Sequence, residues 1–210
     1  MSGFFVSFEG IEGAGKSTVL KEVARELRKR GYQVIETFEP GDTPVGKALR
    51  QTLLAPEHSK MHYVTEVFLY FADRAEHVQK VILPALEAEK VVLTDRYSDS
   101  TFSYQGYGRG LGLEMLETLN QIATNGLMPD LTILLDLDVK EGLRRNKKLQ
   151  KNDRFELETL EFHEKVRRGF LELAEKNPKR FRIIDASMPL NDVIQEALNH
   201  IVTALEENNG

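Results

Sequence analysis

Gly10-Ile11-Glu12-Gly13-Ala14-Gly15-Lys16-Ser17-Thr18 is a G-x-x-x-x-G-K-[ST] pattern set between an apolar run, residues 4–8, and a segment over 19–30 with apolar residues at helical spacing. Strand, loop and helix in that order are the context in which the pattern cradles polyphosphate. The glycines let the backbone close into a concave nest of N–H donors, and the N-terminus of the following helix adds partial positive charge. An anion carrying several charges is expected there. Lys16 is the point charge for its terminal phosphates, and the Ser17 hydroxyl is the ligand for Mg²⁺.

A chain of 210 residues suits one domain, and no Pro-, Gly- or Ser-rich linker divides it. Hydrophobic content of 41% and charged content of 29% are ordinary for a globular protein, and no apolar stretch approaches membrane-spanning length. Met1-Ser2-Gly3 runs into the first strand without a basic n-region, so no secretory signal is expected and a cytoplasmic location fits. With no cysteine, disulfides, thiolate catalysis and cysteine-ligated metals are excluded. The five histidines form no H-x-x-H or H-E-x-x-H spacing and are assigned no metal. A net charge of -5 argues against a nucleic-acid partner, yet Lys and Arg cluster over 144–151, which points to a small anionic ligand.

Along the chain, the helix over 17–30 ends at Gly31, suited to a left-handed C-terminal cap, and 32–38 returns as a strand. Strand, helix, strand at this spacing implies a parallel pair joined by a right-handed crossover. Glu39-Pro40-Gly41-Asp42 is turn chemistry at the carboxyl end of that second strand, where ligands of open α/β sheets collect. Pro44 opens a helix over 45–54, and after a polar break at 57–60 a long helical region spans 63–86, with Tyr70, Arg74 and His77 on one side. A short apolar strand, 91–94, ends in Asp95-Arg96-Tyr97. Residues 98–112 read as a Gly- and Tyr-rich loop merging with a helix that runs over 113–124 until Gly126 stops it. A strand over 131–137, a helix over 140–148, a polar stretch at 150–154 and a helix over 158–175 follow. A strand over 182–185 and an amphipathic helix over 190–206 complete the order, with 207–210 expected to be disordered. Apolar strands alternating with helices predict an α/β domain: a five-stranded parallel sheet with helices on both faces.

A phosphate cradle alone does not separate switches, motors and small-molecule kinases. Asp95, closing an apolar strand, is placed like a Walker-B acid that holds Mg²⁺ directly or through water, provided its strand neighbours the loop strand. Asp is equally at home as a cap or turn residue after a strand. Arg96 beside it would enter the same crevice. Phosphoryl transfer is mostly positioning and charge neutralisation, so an Arg at that point can bridge donor and acceptor phosphates.

The loop at 10–18, Glu39-Pro40-Gly41, Asp95-Arg96-Tyr97, Tyr104-Gln105-Gly106, Arg109-Gly110, Pro129-Asp130-Leu131-Thr132 and Asp153-Arg154 together resemble bacterial thymidylate kinases of the P-loop kinase class, in the family's order and over essentially the whole chain. The loop and the Asp-Arg-Tyr step are shared with other nucleoside monophosphate kinases, whereas Tyr-Gln-Gly followed by Arg-Gly is more specific. The resemblance implies Mg²⁺-dependent transfer of the γ-phosphate of ATP to dTMP. It implies ATP contacts from Gly10, Glu12, Gly13, Ala14, Gly15, Lys16, Ser17, Thr18 and Arg144, and a metal site at Ser17 and Asp95. Lys16, Asp95, Arg96, Arg145 and Glu12 would serve the transfer itself. On the acceptor side it implies that Tyr70 stacks on thymine, Arg74 donates to the carbonyl O4, and Thr101 and Gln105 approach the base edge. Tyr104 would fill the space of a ribose 2'-hydroxyl, Glu12 would lie near the 3'-hydroxyl, and Arg50 and Arg96, with Glu39 in the same site, would clamp the acceptor phosphate.

The basic run Arg144, Arg145, Lys147, Lys148, Lys151 and Arg154 sits where such kinases carry a lid, about 144–156, on an otherwise single domain. Glu12 in the loop matches the bacterial pattern in which a lid Arg reaches the transferring phosphoryl; spacing does not single one out, and Arg145 is the leading candidate. Residues 187–190 are expected on the adenine side, and the family implies a homodimer for which the helices over 63–86 and 113–124 have apolar faces.

Two positions depart from the family's Arg-Glu-Pro-Gly-Gly: Phe38 stands for the Arg and Asp42 for the last Gly. Weaker acceptor binding, compensation by Lys47, or packing of Phe38 near the base are the open consequences. Rival readings are a P-loop kinase for another nucleotide or small acceptor, and a nucleotide-binding switch without transfer. A guanine-selecting N-K-x-D motif, which the switch reading calls for, is absent from the sequence.

Overall fold

The computed structural model describes residues 3–148, 154–155 and 157–208. At its centre five strands lie in the order β2-β3-β1-β4-β5: β1 is Phe4–Glu9, β2 Val34–Phe38, β3 Val91–Asp95, β4 Leu131–Asp136 and β5 Phe181–Asp185. All four pairings are parallel, as the apolar strand pattern required. Successive side chains of β1 enter opposite layers. Phe4, Val6 and Phe8 join Val19, Val23 and Leu27 of α1, Lys16–Lys29, and Ala197 and Ile201 of α9, Leu190–Asn208. Phe5 instead joins Val92, Val78 and Ile82 on the other face. Each such side chain taken fully out of water contributes about 1.5–3 kcal/mol, so the two layers hold the loop strand rigid from both sides.

Register places the chemistry. Phe8 of β1 lies opposite Asp95 of β3, so the loop that leaves β1 and the Asp95-Arg96 step that leaves β3 open at the same carboxyl edge. Phe38, at the end of β2, is level with Asp95 on the other side.

The structure corrects several boundaries. β1 and β2 are not neighbours, because β3 lies between them; a crossover rule constrains hand, not adjacency. The long helix expected over 63–86 is α3, Tyr63–His77, then a π-helical turn, Val78–Ile82, then α4, Leu83–Glu87. Pro84 lacks the N–H that an α-helix would bond to residue 80, and a wider turn in front of it accommodates that loss. Most of the segment expected as a loop over 98–112 is helical: α5, Ser98–Thr101, runs into a π-helical stretch, Phe102–Gly108, and 109–112 stay irregular. Its glycines serve contact rather than turning. A Cβ on Gly106 would stand 2.7 Å from Leu113 and one on Gly108 2.7 Å from Phe162, so helices approach where a sequence reading expects flexibility. The remaining helices are α2, Pro44–Leu54, capped by the Thr43 hydroxyl accepting from the Gly46 N–H at 2.9 Å, α6, Leu113–Thr124, α7, Val139–Lys148, and α8, Leu160–Lys176. The closing helix continues through Asn208, so Glu207 and Asn208, expected to be disordered, are helical. Lys151 and most of the polar stretch at 150–154 lie outside the described residues.

Candidate active site

A cavity of about 920 Å³ opens at the carboxyl edge, floored by Glu12, Gly13 and residues 15–18 of the loop and walled by the turn after β2, by α3, by the step after β3 and by α7. Gly13 and Gly15 hold φ of +77° and +91°, and a Cβ on Gly13 would stand 2.2 Å from the carbonyl oxygen of Gly142, so the loop is pressed directly on α7. Lys16 is buried beneath this loop, and its ammonium donates to the carbonyls of Gly10 at 3.0 Å and Ile11 at 2.8 Å. Burial, and then Arg96, push it down to about 8 against the pull of Asp95, Glu12 and Glu9. The Ser17 hydroxyl donates to Asp95, which joins the two groups that the sequence assigned to a metal.

Arg96 is held in the left-handed region at φ +73°, a conformation costly for a non-glycine residue. Its guanidinium spans the corner, donating to the Gly10 carbonyl at 3.1 Å, Ser100 Oγ at 2.9 Å, Glu12 Oε1 at 3.1 Å and the Tyr104 hydroxyl at 3.1 Å. The Tyr104 hydroxyl in turn donates to Glu12. Burial raises the Glu12 carboxyl, but Arg96 and Lys16 outweigh it and hold the group below the usual carboxylate range. An ionised Glu12 and two cations therefore share the floor of the cleft.

On α3, Tyr70 and Arg74 line the cavity, while His77 turns to Glu39. Both Glu39 oxygens are engaged, one accepting from Arg74 Nε and one from His77 Nδ1, each at 2.9 Å. Glu39 therefore sets the pitch of Arg74. The other Arg74 donors reach the Tyr97 carbonyl at 3.1 Å, Thr101 Oγ1 at 2.9 Å and Asn120 at 3.4 Å. Gln105 lines the same wall, and Tyr70 packs on Phe155 with ring centroids 6.4 Å apart. Arg50 donates to the Pro40 carbonyl at 2.6 Å and lies 5.6 Å over the ring of Phe38, so Phe38 gives Arg50 an aromatic support. Asp42 accepts from Thr37 at 2.5 Å. Lys47 is exposed and does not line the cavity.

Arg145 lines the far end beside Asn146 and Leu190; it donates to Glu141 at 2.8 Å and to the Ala186 carbonyl at 3.1 Å. Arg144 pairs with Glu141 on the exposed side of α7 and is not brought to the cavity. Ala14 is buried and Gly10 offers its carbonyl to Lys16 and Arg96, so these two build the loop from behind. Glu9, marked in the sequence only as an acid closing an apolar strand, accepts through its carboxyl oxygens from the Tyr97 N–H at 2.8 Å and the Ser100 hydroxyl at 2.6 Å. Glu66, buried in α3, carries no signal in the sequence beyond that of a polar helix position.

The family model described as thymidylate kinase matches residues 8–197 of the chain. A thymidylate kinase from Desulfovibrio desulfuricans is 50% identical over 204 residues, covering 94% of each chain. One from Bacillus licheniformis is 44% identical over 211 aligned positions, covering 99% of each. The crystal structure of thymidylate kinase from Ehrlichia chaffeensis is similar with a TM-score of 0.78 at 31% identity, covering 96% of this chain and 99% of that one.

Proposed function

The chain belongs to the thymidylate kinase family, and from that premise we propose that residues 10–18 hold the polyphosphate of ATP while Arg96 and Arg50 clamp the phosphate of dTMP. The enzyme is a nucleoside monophosphate kinase that transfers the γ-phosphoryl group of ATP to dTMP. An oxygen of the acceptor phosphate forms a bond to the γ-phosphorus as the bond from that phosphorus to the β–γ bridging oxygen breaks, leaving dTDP and ADP. The switch reading falls away with membership of a kinase family.

Ser17 and Asp95 supply the hard oxygen donors that Mg²⁺ takes, side by side at the head of the loop, and would hold it together with phosphate oxygens. When bound, the ion offsets charge on the β and γ oxygens. Lys16 and Arg96 neutralise the equatorial oxygens of the transferring group. Tyr70 gives the base a stacking face, Arg74 and Gln105 read its edge, Thr101 supports Arg74, and Tyr104 with Glu12 borders the sugar. Arg145 is the lid cation for the phosphoryl group and would leave the Ala186 carbonyl to reach it, helping to exclude water as a competing acceptor; most of the lid expected over 144–156 lies outside the described residues.

The observation that carries this reading is the corner itself: Arg96 touches the Gly10 carbonyl and Glu12 of the donor cradle, while Ser100 and Tyr104 tie it to the acceptor wall. A homodimer is supported by Phe68 on α3 and Ile122 on α6, both exposed on helices that pack together. Among the described residues no helix is long and apolar enough to cross a membrane. A coupled assay of ADP release across the common nucleoside monophosphates tests the acceptor: dTMP is expected to give the highest kcat/KM, and a better acceptor among the others would overturn the assignment.

A further inference from the structure

We propose that Glu66 is a specificity-determining positioning residue: by holding the amide nitrogen of Gln105, it turns the amide oxygen toward the acceptor base and so selects a base with an N–H at its pairing edge. The inference rests on the reading of the Tyr70, Arg74 and Gln105 wall as the base site. Gln105 lines the cavity, and its Nε2 donates to Glu66 Oε1 at 2.8 Å. Glu66 is fully buried and is not part of the cavity wall. A carboxylate only accepts, so the branch of the amide turned to it is the NH₂, and the branch left for the cavity is the oxygen.

Glu66 has no freedom to release that amide. Its second oxygen is 2.5 Å from Arg154 Nη2, and Arg109 reaches both oxygens at 3.4 and 3.5 Å. Arg109 is itself fixed by Glu158 at 2.6 Å and by the ring of Phe162 at 4.6 Å. Two cations, each with further partners, thus hold one carboxylate in place.

The outcome is a donor and an acceptor on one wall. Arg74 can only donate, and a carbonyl at position 4 of a pyrimidine accepts from it; the Gln105 oxygen accepts from N3–H. Thymine and uracil present that pair, whereas cytosine presents an amino group and a bare N3, the reverse on both counts. Were the amide free to turn over, its NH₂ would satisfy the cytosine N3 and one of the two mismatches would vanish.

The test compares dTMP, dUMP and dCMP as acceptors for wild type and Glu66→Gln, whose amide can donate as well as accept and so no longer dictates the orientation of Gln105. The ratio of kcat/KM for dTMP over dCMP is expected to fall by roughly tenfold or more. The dTMP over dUMP ratio, which reports only the methyl group, is expected to hold. In a Gln105→Met background the Glu66→Gln change should move the dTMP over dCMP ratio no further. If Glu66→Gln does not fold, the charge-balanced pair Glu66→Gln with Arg109→Met carries the same expectation. A folded variant that keeps the wild-type dTMP over dCMP ratio, or one that lowers both ratios together, overturns the role of Glu66. A wild type that does not prefer dTMP over dCMP refutes the base-site reading instead, so the two failures are told apart.

Discussion

Lys16 is a residue whose surroundings make its protonation part of its function. A lysine buried under the loop and held down to about 8 is still charged at neutral pH but loses its proton early. Measured on the free enzyme, kcat/KM for ATP should therefore fall as pH rises through about 8. Lys16→Arg, always charged, should remove that descending limb even though it lowers the rate. Lys16→Ala should lose on the order of 10²–10³ in kcat while the variant still melts cooperatively, and retained turnover would remove Lys16 from phosphate binding. Phe38, one of the two positions at which the sequence departs from the pattern it resembles, supplies a ring that lies under Arg50. Replacing Phe38 with Arg adds a cation at the acceptor phosphate, so KM for dTMP should drop by several-fold with kcat little changed. An unchanged KM would mean that Arg50 on its aromatic support needs no second cation beside it. The loop, Asp95 and Arg96 were legible in sequence because their chemistry is local: spacing and strand ends give them away. Glu66 and the pairing of His77 with Glu39 were not, since each is defined by a partner far along the chain.

At the scale of elements, the carboxyl end of β1 combines a phosphate cradle with a buried acid. Burial, and then the neighbouring Asp99, carry Glu9 up from 4.5 to about 8 against the Ser100 hydrogen bond and the Arg96 charge. Between those values the folded chain keeps a proton that the unfolded chain has released, so this group lowers stability as pH rises from about 4.5 through about 8. Glu9→Gln should flatten that part of a plot of Tm against pH; an identical slope in the variant would show that Glu9 does not titrate there. The contact of the loop with α7 yields a second expectation. Gly13→Ala puts a methyl 2.2 Å from the Gly142 carbonyl at a backbone angle that suits glycine, so it should raise KM for ATP far more than KM for dTMP. Equal effects on both would place the strain elsewhere. Strands and long helices followed from periodicity, whereas the π-helical stretch over 102–108 did not. Gly106 and Gly108 look like turn residues in a sequence and act as contact points in the fold, because the neighbours that require a bare Cα, Leu113 and Phe162, belong to other elements.

The whole molecule is a sheet whose strand order, with β3 between β2 and β1, gathers three loop ends at one edge, and neither that order nor the helix stacking was readable from local pattern. The exposed apolar side chains on α3 and α6 belong to the same scale: sedimentation should find a dimer, and Ile122→Glu should shift it toward monomer, whereas a monomeric wild type would leave that face unexplained. The head-on meeting of two nucleotides turns on the corner built by Asp95 and Arg96. It is tested most directly by a crystal structure with dTMP and a non-hydrolysable ATP analogue in the presence of Mg²⁺. The triphosphate is expected in residues 10–18, the ion held by Ser17 and Asp95, the dTMP phosphate against Arg96 and Arg50, and thymine on Tyr70 with Gln105 at its edge. Thymine seated at the Arg145 and Leu190 end, or an acceptor phosphate out of reach of Arg96, would contradict it.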